Sequence, residues 1–399
     1  MSGANSSGAS RRTFFGLAGG LATAAIAEPA AAQTVPFHGA HQAGITTPMQ
    51  DHLYFASFDL AATKREDVVA LLKSWTDASA RLTAGQPVQA GDSGEAEGLP
   101  PSGLTLTFGF GPELFLKDGQ DRYGLAAKRP AALVDLPRYP GDQLVPGISG
   151  GALCVQACAN DAQVAFHAVR QLARLGYGAV QLKWVQSAFA TARKTPGTPR
   201  NLMGFKDGTM NPAGGAMDKA VWVTQPGWMQ GGSYMVARRI RIALEHWDRM
   251  QVAFQEKTFG REKASGAPLG GRHEFDKPDF NATDANGDYV IPETAHARLA
   301  AAVNNDGAQI LRRSYSYNDG ANFTAERWPP WHQGIEYDAG LFFQAYQQDP
   351  RTGFMKIFDK MSKMDALNQF TTHVSSAVFA CPPGVRPGGY IGQELFEAA

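Results

Sequence analysis

The chain contains 399 residues, and its 37 lysines and arginines balance its 37 aspartates and glutamates. A formal charge of zero argues against a nucleic-acid-binding protein, because such proteins usually carry a basic surplus. Hydrophobic residues at 44% and charged residues at 19% exclude a predominantly disordered chain. Three cysteines in a chain of this length exclude a scaffold held by disulfides, and the length leaves room for two or three domains.

Residues 1–32 have the features of an export signal. Ser10-Arg11-Arg12-Thr13 is a twin-arginine pattern, and an apolar run follows at 14–27. This run is shorter than the roughly 20 residues that span a membrane, and Ala30-Ala31-Ala32 offers a small-residue cleavage site. We therefore expect the twin-arginine machinery to export the protein to the periplasm or beyond, as a soluble mature chain. The alternative is an alanine-rich tail without a function.

The segment from 52 to 189 predicts one α+β unit. Strand-like runs occupy 52–60, 104–110, 151–158 and 179–189, and helical apolar spacing occupies 65–82 and 161–175. Asn160 or Asp161 supplies the cap of the second helix. The order of the elements, β-α-β-β-α-β, is that of the ferredoxin-like unit.

Cys154 and Cys158 lie four residues apart on the third predicted strand of this unit. Four residues of strand span roughly 13 Å, whereas a disulfide needs Cα atoms within about 7 Å. We therefore predict that the two cysteines do not bridge each other, that both point to the same side and that both fill core.

The second half of the chain repeats the pattern. Strand-like runs occupy 233–244, 310–317, 341–347 and 370–379, and helical runs occupy 247–259 and 354–363. A duplicated unit is therefore expected, with an N-terminal ferredoxin-like domain at 45–215 and a C-terminal one at 216–399. The fold class is α+β, two tandem β-α-β-β-α-β units.

Three segments carry unusual polar residues. Asp207 lies between Gly204 and Gly208 at the seam of the two halves, where glycines allow close approach of a ligand; a plain domain-linking turn is the alternative. His296 follows a polar loop and should open a short helix or turn, although a lone histidine is usually a surface or core residue. The Arg312-Arg313 pair lies in a strand-like stretch, where arginines are hard to bury without an anion, unless the strand is a solvated edge.

These segments resemble those of a known family. Gly204-Phe-Lys-Asp207-Gly208 is similar to the Gly-x-x-Asp-Gly signature of the dye-decolorizing peroxidases. Ala295-His296-x-Arg298 and Leu-Arg312-Arg313-x-Tyr-Ser-Tyr resemble two further segments of that family, in the same order and at similar spacing. The runs at 232–242 and 257–261 strengthen the match. With the twin-arginine pattern, the chain is most similar to the exported deferrochelatase/peroxidase branch.

The resemblance implies heme b in the C-terminal domain. It makes His296 the proximal iron ligand and Asp207 and Arg312 the distal catalytic pair, with Arg312 in contact with the cofactor as well. Gly208, Thr209 and Met210 would line the heme. Asp349 is a candidate partner for the other ring nitrogen of His296, although Asp349-Pro350 also fits a helix cap.

The implied activity is reduction of hydrogen peroxide with oxidation of dyes, phenols or porphyrins. A carboxylate can take and return the proton of the peroxide, and a guanidinium stabilises the charge on the departing oxygen. One alternative is a deferrochelatase, which releases iron from heme and leaves the porphyrin intact. The other is a non-catalytic heme carrier, against which the acid–base pair argues.

The resemblance also implies partners and one route for electrons. It implies a homodimer, and the deferrochelatase alternative adds components of an iron-uptake system. Large substrates would be oxidised through aromatic residues, for which the candidates are Tyr315, Tyr317, Trp328 and Trp331. Two departures from the family pattern are the Ala301-Ala302-Val303 stretch, where an Asn-Pro-Arg contact is usual, and Ser314, where some members have asparagine.

Overall fold

The computed structural model describes residues 33–88, 91–191, 197–325 and 333–397, so the predicted export signal at 1–32 lies outside the described residues. The first unit contains β1 (His52–Leu60), α1 (Arg65–Thr83), β2 (Thr105–Phe110), α2 (Pro112–Phe115), β3 (Leu153–Ala159), α3 (Ala162–Leu175) and β4 (Val180–Phe189). The carboxylate of Asp161 caps α3 by accepting hydrogen bonds from the main-chain N–H groups of Gln163 and Val164. Among the described residues, no helix has the length and apolar character needed to cross a bilayer.

The second unit has the same order of strands with more helical insertions. It contains α4 (Gly215–Val221), β5 (Ser233–Ile242), α5 (Leu244–Trp247), α6 (Val252–Phe259), α7 (His296–Ala300), β6 (Leu311–Arg312), β7 (Tyr315–Ala325), β8 (Gln333–Gln347), α8 (Phe354–Met364), β9 (Thr371–His373), β10 (Ala377–Cys381) and α9 (Gln393–Glu397). The helix predicted at 247–259 is two short helices, and the strand predicted from 341 begins at Gln333. The final strand predicted at 370–379 is divided into β9 and β10, so these boundaries were wrong.

Strand order confirms the duplicated ferredoxin-like fold. The first unit has the order β4-β1-β3-β2, and the second, written in the corresponding direction, has β10-β5-β8-β7. The first strand of one unit thus corresponds in place to the first strand of the other, and the same holds for the remaining three. The two sheets are joined at both edges by single antiparallel pairs, Phe189 with Ser316 and Phe110 with Ala380. Eight strands therefore close into one ring, with β6 and β9 added at the margins.

The apolar side chains of the strands form separate cores on the two faces of the sheet, because successive side chains of a strand point to opposite faces. Phe55 of β1 and Phe342 of β8 contact each other inside the ring, with ring centroids 5.2 Å apart. On the other face of β1, Phe58 packs against Trp75 of α1. The helices of each unit thus pack on the outer face of its sheet. In the second unit a cavity lies on this same face.

The ring interior contains all three cysteines, which are free and buried. This confirms that Cys154 and Cys158 do not bridge each other and that both fill core. Tyr315 and Tyr317 are also fully buried there, and burial raises the pKa of both phenols above the ordinary value. Trp328 and Trp331, the other predicted electron carriers, lie outside the described residues.

Candidate functional site

A large cavity lies on the outer face of the second unit, between its sheet and the helices that cover it. It encloses about 1580 Å³ of space that no atom fills, its open mouth included. The walls are mostly apolar. Their apolar residues include Ile240 and Ile242 of β5, Leu341 and Phe343 of β8, Phe354, Ile357, Phe358 and Met361 of α8, and Ala297, Ala300, Ala301 and Ala302 in and after α7. A wall of this kind suits a large, flat, apolar ligand.

A turn-rich loop before the second unit places Asp207 in the cavity wall. The main-chain N–H of Asp207 donates to the carbonyl of Pro199 at 2.9 Å. Gly204 and Gly208 have φ angles of +86° and +114°, and a Cβ at Gly204 would lie 2.7 Å from Cε of Lys263. The left-handed backbone conformation therefore favours glycine at Gly204, whereas the end of the flexible Lys263 side chain could move away from a Cβ. The loop thus contributes a carboxylate to the cavity wall.

Asp207 and Arg312 form a direct ion pair in the cavity wall. Nη1 of Arg312 donates to Oδ1 of Asp207 at 2.8 Å. Both residues line the cavity, and neither side chain is fully enclosed. Of the two consecutive arginines, the first therefore faces the cavity, as predicted.

Arg313 lies on the opposite side of the strand and is only 5% exposed. Its guanidinium donates to the main-chain carbonyls of Thr47 and Pro48 and to the side-chain oxygen of Gln50. Neutral acceptors from the segment that precedes β1 thus surround this arginine. The expectation that the arginine pair would be buried with an anion or lie on a solvated edge was wrong for Arg313.

His296 opens α7, as predicted, and its side chain lines the same cavity. Nδ1 of His296 lies 2.7 Å from Oδ2 of Asp365, whose side chain is only 3% exposed. Because an ionised carboxylate only accepts, the proton of this hydrogen bond belongs to Nδ1, and in the neutral ring the lone pair is then on Nε2. This arrangement is typical of a histidine that binds a metal ion.

The carboxylate that supports His296 is Asp365 and not Asp349. Asp349 pairs with Arg351, at 2.6 Å from Oδ2 to Nη2, and accepts from the main-chain N–H of Arg351. It therefore stabilises the turn before α8. It is not the helix cap that the alternative predicted, because the N-cap of α8 is Gly353 and no side chain caps this helix. Asp365 follows α8 and also accepts from the N–H of Leu367, so the sequence around it shows an ordinary helix boundary and no sign of a partner 69 residues away.

A second group of polar residues surrounds Glu274, near the Asp207–Arg312 ion pair. Oε1 of Glu274 accepts from the main-chain N–H of Thr198 at 3.2 Å and from the hydroxyl of Thr209 at 3.1 Å. Oε2 pairs with Lys206 at 3.4 Å. Burial alone would raise the pKa of Glu274, but the hydrogen bonds from Thr198 and Thr209 and the charge of Lys206 lower it. This carboxylate stays ionised and fixes the loop around Asp207.

Arg261 is a buried cation in the cavity wall, 6% exposed. Nη1 donates to the carbonyls of Gly266 and Glu274, at 2.7 and 2.9 Å, whereas Nη2 has no hydrogen-bond partner among the described residues. Burial and the charge of Arg312 lower its pKa, and Glu274 opposes this effect. Buried polar groups are normally paired, so Arg261 is a buried positive charge whose hydrogen bonds are only partly satisfied among the described residues.

Of the other predicted contacts, Thr209 and Met210 line the cavity, whereas Gly208 is not among its wall residues. Ala301 and Ala302 also line it, so the departure from the family pattern puts small apolar side chains in this wall. Sequence reasoning missed Asp365, Glu274 and the role of Arg261. Only Arg261 had a signal, the Lys257-Thr-Phe-Gly-Arg261 run.

The geometry defines what the cavity can do. The carboxylate of Asp207 can hold or move a proton, and Arg312 can stabilise negative charge beside it. His296 offers Nε2 as a metal ligand, and Arg261 offers positive charge to an acidic group. The donor set and the apolar walls fit a flat ligand that carries a metal ion and carboxylates, as heme does.

Two family models match the chain. The model for the N-terminal part of Dyp-type peroxidases matches residues 42–190, and the model for the C-terminal part matches residues 198–386. Together they include the first unit, the loop that carries Asp207 and the cavity of the second unit.

Individual proteins are similar over nearly the whole chain. A dye-decolorizing peroxidase of Thermobifida fusca is 39% identical over 388 residues, which cover 92% of this chain and 86% of that protein. A deferrochelatase of Escherichia coli K12 is 34% identical over 385 residues, 91% of this chain and 87% of that protein. The structure of an oxyferrous complex of DtpA from Streptomyces lividans has a TM-score of 0.85 at 41% identity, covering 92% of this chain and 99% of that one.

Proposed function

Since this chain belongs to the Dyp-type peroxidase family, it is a heme peroxidase of that type, and we propose that Asp207, Arg312 and His296 do its chemistry. Asp207 and Arg312 form the distal pair, and His296 is the iron ligand. The observation that carries this proposal is the presence of two separate pairs, Asp207–Arg312 and His296–Asp365, in the wall of one cavity.

The residues around the cavity fit heme b. His296 would bind the iron through Nε2, and Thr209, Met210, Ala301 and the aliphatic side chains of β5 and β8 would contact the porphyrin. Arg261, with its unpaired Nη2, would supply positive charge for a carboxylate of the cofactor. Bound heme supplies the iron that exchanges electrons with hydrogen peroxide and with the reducing substrate.

The distal pair handles the proton and the charge. Asp207 accepts a proton from hydrogen peroxide and returns it to the oxygen that leaves as water. Arg312, held 2.8 Å from Asp207, stabilises the negative charge that develops on that oxygen. Asp365 holds His296 in the tautomer that leaves Nε2 free to bind iron.

An absorption spectrum and a peroxide assay test this proposal. The purified protein should show a strong Soret band and should oxidise dyes or phenols only when hydrogen peroxide is added. A protein purified from heme-supplied cells without a Soret band would contradict the cofactor. A heme-loaded protein that does not turn over with peroxide would leave the non-catalytic carrier as the better interpretation.

Deferrochelatase activity is the second candidate, because relatives with 34–35% identity bear that name. Mass spectrometry of the products separates the two activities. Metal-free porphyrin with an intact ring would show iron release, whereas oxidised dye without free porphyrin would show peroxidase activity alone. Components of an iron-uptake system are expected as partners only if free porphyrin with an intact ring is found.

We predict that Asp365→Asn keeps most of the heme and raises the reduction potential of the iron. The amide is a weaker acceptor than the carboxylate, so His296 becomes a poorer electron donor. The expected loss of peroxidase activity is about 10–100-fold. A redox titration of the purified variants measures the potential.

Asp349→Asn is the matched control for this prediction, since Asp349 pairs with Arg351 in a turn outside the cavity wall. It should have the potential and activity of the parent. An unchanged potential in Asp365→Asn, or the same shift in Asp349→Asn, would contradict the role of Asp365.

Export through the twin-arginine route is also part of the proposal, and it rests on Arg11-Arg12 ahead of a short apolar run. We predict that replacing both arginines with lysine leaves the folded, heme-loaded protein in the cytoplasm. Cell fractionation followed by a Soret measurement checks this. Normal appearance of the variant in the periplasm would show that the arginine pair is not read.

We further propose a homodimer, which light scattering of the purified protein would test. The division into domains at 45–215 and 216–399 remains a proposal as well. Limited proteolysis would test it, since cleavage near residue 215 is expected.

A further inference from the structure

The main chain of Arg312 is held by the side chain of Asn211. The main-chain N–H of Arg312 donates to Oδ1 of Asn211 at 3.0 Å, and Nδ2 of Asn211 donates to the carbonyl oxygen of Arg312 at 2.7 Å. One amide group thus satisfies both polar groups of one residue. Among side chains, only asparagine and glutamine carry a donor and an acceptor in one planar group of this shape.

The place of Arg312 in the sheet explains why it needs this partner. β6 lies at the end of the strand order and pairs with β8, where Arg312 is opposite Ala345. The N–H of the next residue, Arg313, bonds to Gln344 of β8. Because successive residues of an antiparallel strand direct their polar groups to opposite sides, the N–H and C=O of Arg312 face away from β8. Asn211 takes the place of a neighbouring strand on this edge.

Asn211 and Asp207 belong to one turn. The main-chain N–H of Asn211 donates to the carbonyl of Gly208 at 2.9 Å, which fixes Asn211 to the residue after Asp207. Arg312 is therefore attached to this turn twice, through its main chain to Asn211 and through its guanidinium to Asp207. The two attachments bridge about a hundred residues of sequence, because the partners are 101 and 105 positions apart.

We propose that Asn211 is a positioning residue for the distal pair: it holds the Arg312 main chain so that the guanidinium stays beside Asp207. Asn211 does not touch peroxide and is not a catalytic residue. The inference rests on the proposed function, since it assumes that Asp207 and Arg312 react with peroxide. Without the amide, β6 loses its outer partner and the long arginine side chain starts from a movable point.

The chain contains a matched control in its first unit. The main-chain N–H of Phe108 donates to Oε1 of Gln42 at 2.8 Å, and Nε2 of Gln42 donates to the carbonyl of Phe108 at 3.0 Å. This is the same two-point attachment, made by a buried side chain to a residue of β2. Nε2 of Gln42 also donates to the carbonyl of Pro382 at 2.9 Å, and neither Gln42 nor Phe108 is in the cavity wall. Gln42→Ala therefore removes the two equivalent hydrogen bonds and one more, without touching the distal pair.

The experiment compares Asn211→Ala with Gln42→Ala in the heme-loaded protein. Both should lower the melting temperature. Only Asn211→Ala should slow the reaction with hydrogen peroxide, by about 10–100-fold, as expected for a reactive group displaced by about 1 Å. It should also weaken binding of fluoride to the ferric protein, because a guanidinium stabilises a bound anion. Heme content should stay at the parent level, since His296 and Asp365 are untouched.

A double-mutant cycle with Arg312→Leu separates positioning from general damage. If Asn211 acts through Arg312, Asn211→Ala slows the parent but causes no further loss in the Arg312→Leu background. Asn211→Ser, which replaces the amide with a shorter hydroxyl group, should give an intermediate rate and serves if Asn211→Ala does not fold. An equal loss in both backgrounds would overturn the inference.

Failure of the inference and failure of the proposed function give different results. If Arg312→Leu reacts slowly but the Asn211 variants react at the parent rate, the inference alone is wrong. If Asp207→Asn and Arg312→Leu both react at the parent rate, the proposed distal pair is wrong and the positioning role of Asn211 is overturned with it.

Discussion

Replacing His296 with alanine should leave a protein that folds but retains little heme. The substitution removes the nitrogen that we propose binds the iron, so the loss should exceed the roughly 10–100-fold weakening typical of a partner that only supports a ligand. It also leaves the buried Asp365 without its histidine, at a cost of about 1–3 kcal/mol in the free energy of unfolding. The ratio of Soret to protein absorbance measures the heme, and circular dichroism measures the fold.

Two controls make the His296 result specific. His273 is exposed, and His273→Ala should keep the heme content of the parent. Imidazole added to His296→Ala should partly restore the Soret band, because a free imidazole can occupy the space of the missing ring. Equal heme content in the two alanine variants would show that His296 is not the ligand.

Replacing Asp207 with asparagine should leave heme binding intact and slow the first step with hydrogen peroxide by about 10²–10⁴-fold, the usual contribution of general acid–base catalysis. Asparagine keeps the size of the side chain and an oxygen that can accept from Arg312, so the change isolates proton transfer from packing. Stopped-flow mixing, followed at the Soret band, measures the rate. Asp319→Asn is the control, since Asp319 forms an ion pair of the same 2.8 Å length with Arg239 and is not in the cavity wall.

Replacing Arg312 with leucine should slow the same step by about 10²–10³-fold, because charge on the departing oxygen is no longer stabilised. The two losses should not add in the double variant, since both residues act on one bond cleavage. We expect the larger loss from Asp207→Asn. If that variant reacts at the parent rate while Arg312→Leu is inactive, Arg312 carries the step and this order is wrong.

The fold was predictable because its determinants are local. Period-two and helical apolar patterns identify strands and helices without knowledge of their neighbours, and the same β-α-β-β-α-β order occurs twice. Errors occurred where local signals are weak, as in the strand predicted from 341 that begins at Gln333. Closure of the two sheets into one ring was not predicted, because it depends on single pairs such as Phe189 with Ser316 between distant strands.

Three residues of the candidate site were predicted from the sequence. Asp207, His296 and Arg312 lie in short motifs whose residue types and order resemble one family. The glycines around Asp207 also carry a physical signal, since Gly204 adopts a φ angle of +86° and lies against Lys263. Such signals are readable because each depends on residues a few positions apart.

The contacts that hold these residues became visible in the three-dimensional structure. It assigned Asp365 and not Asp349 to His296, directed Arg312 to the cavity and Arg313 to the opposite side, and attached Arg312 to Asn211. Two residues that are 69 positions apart, as His296 and Asp365 are, leave no local pattern in the sequence that marks them as partners. The partner of His296 is the carboxylate that the packing of α8 against α7 brings within 3 Å of the ring nitrogen. Aspartates near helix ends look alike in the sequence, so they cannot be told apart until that packing is known.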